Sequence, residues 1–265
     1  MILPSNYDEI DFDALYKTQK AKSSFGKKLA EHWDKEAPSF NDGVMKSAYA
    51  RDFLSRVDFS GTSTLLDFAC GAGALSIAAA DKLERIYGFD FSPKMLEFAE
   101  RNAQTYGAKN IKFAQKAFED DWSDLPACDL VFASRCLEVD DLKTALNKLL
   151  SKTKKALYIT FKVSGSFVDG DILDAIGREV QKRPDFVYLI NILFQMGYLP
   201  SLSYIKAQCH GGGAKSVEEF VQKTRWMLGG ELNDTEEALL AEYFNSGKYE
   251  PKRDFMHWAF VRVDV

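Results

Sequence analysis

Between residues 60 and 208 short apolar runs alternate with stretches whose apolar residues recur at helical spacing. The runs predict strands at 64–68, 85–90, 110–115, 128–134, 155–163 and 201–208, with a last one at 254–263. Helices are predicted between them. Leu75, Ala78, Ala79 and Leu83 share one face of a helix at about 73–84, and Leu142, Ala145, Leu146 and Leu149 one face of 140–151. Ser92-Pro93 supplies an N-cap and a first-turn proline for a helix that carries Met95, Ala99, Ala103 and Tyr106 and ends at Gly107. A helix at 171–183 stops at Pro184, and Asp185 caps an apolar helix that ends at Gly197.

Strands separated by helices require crossovers, so the sheet is mainly parallel and covered on both faces. The last strand needs no crossover helix and pairs antiparallel. Two helices opening at Ser216-x-x-Glu219 and Asp234-x-x-Glu237 lie before it. The expected fold is α/β, a Rossmann-like, doubly wound, mainly parallel seven-stranded sheet with an antiparallel last strand and helical cap elements. Residues 1–58 form an N-terminal helical lid, 59–208 with 254–265 the core, and 209–253 an inserted cap. In the lid, Tyr16, Phe25, Leu29 and Trp33 recur at loose helical spacing, and Tyr49, Phe53 and Leu54 mark a further helix. Pro38 and the Asn41-Asp42-Gly43 turn are expected to separate the two.

Composition narrows the class. A chain of 265 residues, 46% apolar, closes one large core with insertions more readily than two domains. Its longest apolar run, Phe186 to Phe194, contains Asn191 and falls short of the roughly 18 residues a spanning helix needs. The N-terminus turns acidic at once and lacks a leader pattern, so a cytoplasmic protein without a membrane partner is expected. Four cysteines (Cys70, Cys128, Cys136, Cys209) without a CxxC pair, and three scattered histidines, give no support for disulfides or a metal site. A net charge of −5 weighs against a nucleic-acid partner. A monomer and a homodimer are equally compatible with the sequence.

The chemistry concentrates in Leu65 to Ser76, LLDFACGAGALS: a strand ending in Asp67, a glycine turn and a helix start. Asp90 stands at the tip of the next strand, and two acids at adjacent strand tips beside a glycine turn make a nucleoside site. Read as a dinucleotide fingerprint, Gly71-x-Gly73-x-x-Ser76 lacks the third small residue, and Asp67 would repel a pyrophosphate. An ammonium group suits Asp67 better, and S-adenosylmethionine carries one.

At these residues the chain resembles the class I S-adenosylmethionine-dependent methyltransferases, over roughly 60–208 with the last strand. Their first motif matches Asp67-Phe68-Ala69-Cys70-Gly71-Ala72-Gly73. The resemblance implies that Asp67 binds the methionine amino group and that Ala69, Cys70 and Gly71 let the tail approach the backbone. It further implies that Asp90 accepts from the ribose hydroxyls and that Phe91 and Met95 pack on adenine. The acid usual after the third strand is replaced by Ala117, leaving the Phe118 backbone, Glu119 or Asp120 for the adenine amino group. Ser134 and Arg135 fall where the family meets the tail and the methyl group, and Trp33 lies in a segment that covers the cofactor.

The expected function is methyl transfer from S-adenosylmethionine to a small-molecule acceptor by direct displacement, with S-adenosylhomocysteine as product. Such a displacement needs alignment more than a catalytic acid or base, so no catalytic residue is assigned. His210, beside the glycines 211–213, is either a base or a loop histidine at a cap hinge. Trp226 is expected in the core. Arg135 either holds an acidic substrate or pairs with the Glu138-Asp140-Asp141 cluster. After the fourth strand the chain reads Ser134-Arg135-Cys136-Leu137, without the Asn/Asp-Pro-Pro-aromatic turn of base amino-methyltransferases and without a Pro-Cys nucleophile. An NAD-dependent oxidoreductase and a non-catalytic S-adenosylmethionine-binding protein are the competing readings.

Overall fold

A computed structural model describes residues 6–164, 168–208, 214–250 and 255–265. A 3-10 turn, Tyr7–Glu9, leads into helices α1 (Phe12–Lys22), α2 (Ala30–Lys46) and α3 (Tyr49–Leu54). Then follow β1 (Thr64–Phe68), α4 (Ala74–Ala78), β2 (Arg85–Asp90), α5 (Pro93–Thr105) and β3 (Ile111–Gln115). The second half of the sheet brings β4 (Cys128–Ser134), α6 (Leu142–Ser151), β5 (Thr153–Lys162), α7 (Gly170–Ala175), α8 (Phe186–Gln195) and β6 (Ser201–Gln208). Helices α9 (Val217–Leu228) and α10 (Asp234–Asn245) precede β7 (Phe255–Asp264).

The seven strands form one sheet in the order β3-β2-β1-β4-β5-β7-β6. All pairs are parallel except those of β7, which runs antiparallel to both β5 and β6. This is the Rossmann-like, doubly wound arrangement expected from the alternation of strands and helices. Chain order reverses between β1 and β4, the place where such sheets open a crevice at their C-terminal edge.

The apolar strand runs are buried on both faces, as a covered parallel sheet demands. Leu66, Phe68, Val131, Ala133, Leu157 and Ile159 pack against Tyr16 of α1, Leu142 and Leu146 of α6, and Leu189 and Leu193 of α8. Leu65, Leu130, Phe132 and Tyr158 face Tyr49, Phe53 and Leu54 of α3 and Leu75 of α4. A third cluster stands apart from the sheet: Phe25 from the loop before α2, Ile172 of α7, Phe220 and Leu228 of α9, and Leu240 of α10. Among the described residues no helix is long and apolar enough to cross a membrane.

Three helices depart from expectation. Helix α2 runs unbroken through Pro38 and residues 41–43. Its inward stripe of Trp33, Asp34, Ala37, Phe40, Asn41 and Val44 follows the helical period, and packing of this stripe overrides the local breakers. The helix expected at 171–183 ends as α7 at Ala175, because Gly177 takes a left-handed conformation (φ 63°). Helix α4 stops at Ala78, where bonds from Ala80 to Ile77 and from Lys82 to Ala79 tighten the chain into 3-10 turns.

The loop before α2 and the end of α9 meet backbone to backbone. Gly26 N–H donates to the Leu228 carbonyl at 3.1 Å, and a Cβ on Gly26 would lie 1.7 Å from the Gly229 oxygen. Gly26→Ala should therefore separate these segments and lower stability by about 1–3 kcal/mol in urea unfolding. It should also expose α9 and α10 to limited proteolysis. Gly43→Ala, where an added Cβ meets nothing within 4 Å, serves as the control.

Candidate cofactor site

The site is built by the turn that takes the chain out of β1. Ala69 (φ 56°), Gly71 (φ 54°) and Gly73 (φ 80°) are all left-handed, and the turn delivers the chain into α4. Glycine takes this conformation freely, whereas Ala69 carries strain of about 1–2 kcal/mol. A Cβ on Gly73 would come within 3.2 Å of Ala99 and Phe113, so only glycine lets α4 seat against α5 and β3. The turn is tied to the next strand by Cys70 N–H donating to the Phe89 carbonyl at 2.9 Å.

Asp67 and Asp90 close the two strand ends, 1% and 4% exposed. The Asp67 carboxylate accepts from the Ser76 hydroxyl at 2.6 Å. Asp90 accepts from Gly71 N–H at 2.8 Å and from Ser92 N–H at 2.9 Å. Burial raises the Asp67 carboxyl to about 7, against the lowering effect of the Ser76 hydroxyl and with a further push from Asp90. Burial likewise raises Asp90 to about 6, although three backbone N–H groups oppose it, and Asp34 adds repulsion. A ligand bringing a cation and hydroxyl donors between these acids would stabilise their ionised forms. This charge pattern fits the ammonium, sulfonium and ribose of S-adenosylmethionine.

Around the acids the other expected residues divide. Met95 is buried in the first turn of α5, and Phe91 precedes the Ser92 cap of that helix. The Phe118 ring packs 4.5 Å from Phe68 and stacks on Trp122 at 5.6 Å. Asp120 turns onto the Ala117 N–H at 2.8 Å, and Glu119 pairs with Lys27 at 3.3 Å. The Ser134 hydroxyl is held by Tyr49 at 2.8 Å and Thr160 at 3.2 Å. Trp33 reaches the glycine turn through Phe40, and its other neighbour is Trp226, ring centroids 5.2 Å away. Trp226, expected in the core, is half-buried at this contact. Arg135 lies over Tyr49 at 4.3 Å, and Arg183 takes Glu138 in its place. Residues 209–213, which include His210 and the expected hinge, lie outside the described residues.

Five residues of this site were not foreseen. Asp34 of α2 accepts from the Ser92 hydroxyl at 2.6 Å and from Lys94 N–H at 3.1 Å. Asn102 donates to Asn41 at 2.6 Å and to the Ala72 carbonyl at 2.9 Å, and the Phe40 ring covers Gly71. The helical spacing of Asp34, Phe40 and Asn41 was visible, but the expected break at Pro38 divided it. Cys136, the fifth, feels both Asp67 and Asp90, and burial together with these acids pushes its thiol well above the usual range.

Residues 60–184 match the methyltransferase-domain family. Over that span, just under half of its length, the chain is similar to S-adenosylmethionine-dependent methyltransferases. An uncharacterised protein of Haemophilus influenzae is 29% identical over 239 residues, 89% of each chain. The 23S rRNA (uracil(1939)-C(5))-methyltransferase of the same organism is 24% identical over 182 residues, 62% of this chain and 41% of that one. Among solved structures, magnesium protoporphyrin IX methyltransferase of Synechocystis, with bound S-adenosylhomocysteine, shares the fold. It is 14% identical, with a TM-score of 0.52 over 95% of this chain and 94% of that one.

The raised acids set a pH signature. Between the unfolded value of 3.8 and the folded values of about 6 and 7, the folded protein holds protons that the unfolded chain releases. The contribution of Asp67 and Asp90 to stability of the ligand-free protein therefore falls as pH rises through this window and is level above it. Urea unfolding at pH 4.5, 6 and 7.5 should show Asp67→Asn gaining on the wild type as pH increases.

Proposed function

We propose that this enzyme methylates a small-molecule acceptor by direct displacement. The observation that carries the reading is the roof over the C-terminal edge of the sheet. Trp33 of α2 meets Trp226 of α9 edge to face, and Gly26 locks onto the end of α9. Segments from before and after the sheet thus join beside the cofactor turn, an arrangement suited to a small acceptor.

S-adenosylmethionine supplies a methyl group activated on a sulfonium; the chain has to hold it, align the acceptor and exclude water. In this reading Asp67 takes the amino group and Asp90 the ribose hydroxyls, while Ala69, Cys70 and Gly71 lie along the tail. Phe91 and Met95 pack on adenine. With Asp120 and Glu119 engaged elsewhere, the Phe118 backbone N–H is left to meet the adenine ring. Ser134 contributes backbone, its hydroxyl being held by Tyr49 and Thr160, and Trp33 closes the roof.

The partial likeness to a uracil C5-methyltransferase raises RNA as the other acceptor. Carbon methylation of a pyrimidine calls for a thiolate nucleophile. Cys70 and Cys136, the cysteines nearest the acids, have thiols pushed the opposite way by burial and by Asp67 and Asp90. This supports an acceptor attacked without cysteine.

Two measurements test the reading. Titration calorimetry should detect S-adenosylhomocysteine binding that tightens as pH rises from 5.5 to 7.5, because the ligand's ammonium favours ionised acids. Asp90→Ala should weaken it about 100-fold, the loss of two hydrogen bonds to a charged group. With methyl-labelled cofactor, label should enter the small-molecule fraction of a cell extract. Label in RNA alone, or none anywhere despite saturated binding, would overturn the proposal.

A further inference from the structure

We propose that this chain forms a homodimer about a two-fold axis, through the outer side of α8 and the exposed face of β6, with Leu199 of each copy seated in a groove of the other. The contact lies away from the cofactor turn and holds whichever acceptor the enzyme takes.

Helix α8 is apolar on both sides. Leu189, Ile192 and Leu193 face the core, while Val187, Ile190, Asn191 and Phe194, at helical spacing, make a second stripe on the opposite side. A helix apolar all round is ordinarily enclosed, yet Val187 and Phe194 are about half exposed. The one polar residue of the stripe is already engaged. Asn191 accepts from the Tyr7 hydroxyl at 2.9 Å and donates to the Val187 carbonyl at 2.7 Å, and the Tyr7 ring meets Phe194 edge to face at 6.0 Å.

The stripe continues onto β6. Leu199 and Pro200 lead from α8 into the strand, and the Tyr204 ring meets Phe186 edge to face at 5.7 Å. Leu202, two residues before Tyr204, shares its side of the sheet, and both are exposed. Strand β6 ends the sheet and has no neighbour beyond it among the described residues. Edge strands left bare are ordinarily marked by charge, not by leucine and tyrosine on the open face.

Shape, area and charge select a second copy as the occupant. Tyr7, Ile190, Asn191, Phe194 and Pro200 line a groove of about 400 Å³, and Leu199, at its rim, is 83% exposed. A projecting leucine beside an apolar hollow suits an isologous contact, since each copy then fills the groove of the other. At roughly 150–250 Å² for a fully exposed side chain of this size, Tyr7, Val187, Phe194, Leu199, Leu202 and Tyr204 offer on the order of 600 Å² of mostly apolar surface. That stands at the upper end of what a monomer leaves in one patch and, with the flanking backbone, near the roughly 800 Å² per partner that a stable dimer buries. None of these residues is charged, so the −5 that each chain carries is kept out of the contact. Strand β6 stands four strand spacings from β1, about 19 Å, which leaves the cofactor turn of each copy free.

Sedimentation equilibrium of the full chain at micromolar concentration should give twice the 29.9 kDa of a single chain. Leu199→Glu, which puts a carboxylate into each apolar groove, should raise the dimer dissociation constant at least about 100-fold and leave single chains. Its far-UV circular dichroism should match the wild type, because the side chain is exposed and its change leaves the fold of each copy alone. Tyr106→Glu, at an exposed tyrosine on α5 by the far edge of the sheet, should keep the dimer and serves as the control. A wild type of single-chain mass would overturn the proposal, whether this face then takes lipid vesicles or another protein. So would a folded Leu199→Glu variant that dimerises as tightly as the wild type.

Discussion

Two carboxylates buried at the ends of adjacent parallel strands, with no cation paired to them among the described residues, are the constraint around which the structure is arranged. Register places Asp67 opposite Gly88 and Phe68 opposite Phe89, so both acids emerge at the same edge. Gly88 must be small, because a Cβ there would fall 2.5 Å from the Phe113 ring and 3.1 Å from Cys70 Sγ. The turn then folds back over β2, where its Gly71 N–H joins those of Phe91 and Ser92 as partners of Asp90. Such a pair of acids costs stability, and it persists because the surrounding core determines the strand ends. A cationic ligand would offset that cost, so groups that weaken the ligand-free protein are suited to a cofactor that carries an ammonium.

Helix α2 is joined to this site by polar as well as apolar contacts. Helix α2 turns Asp34 and Asn41 inward, and each finds a partner that needs it. Asp34 accepts from Lys94 N–H in the first turn of α5, where a negative charge is favoured by the helix dipole. Asn41 meets Asn102, which also holds the Ala72 carbonyl of the cofactor turn. The position of α2 thus depends on the shape of the turn it covers. The same helix carries Trp33, which meets Trp226 of α9.

Much of this architecture was legible because it is local. Strand tips, caps such as Ser92 and Asp185, and the crossover pattern each occupy a few neighbouring residues, and sheet order and the antiparallel last strand follow from them. The acids Asp67 and Asp90 were legible for the same reason. Helix α2 was not, because Pro38 and Asn41-Asp42-Gly43 favour a break locally while the burial of Ala37 and the packing of Phe40 over Gly71 are tertiary effects. The cap of α10 lies one residue earlier than expected, at Asn233, where a reciprocal bond with Glu236 closes the capping box.

Net charge was a coarse guide to partners for a related reason. A balance of −5 describes the field an approaching polymer meets, and says little about an enclosed site. Here the two diverge. The acids Asp67 and Asp90 are buried at the cofactor turn, and Lys162 and Arg183 are buried beside Phe25. Charges in a low-dielectric interior act over longer range than the same charges in water. A small ligand that enters such an interior therefore meets the local charges, and the net balance of the chain says little about which ligand they favour.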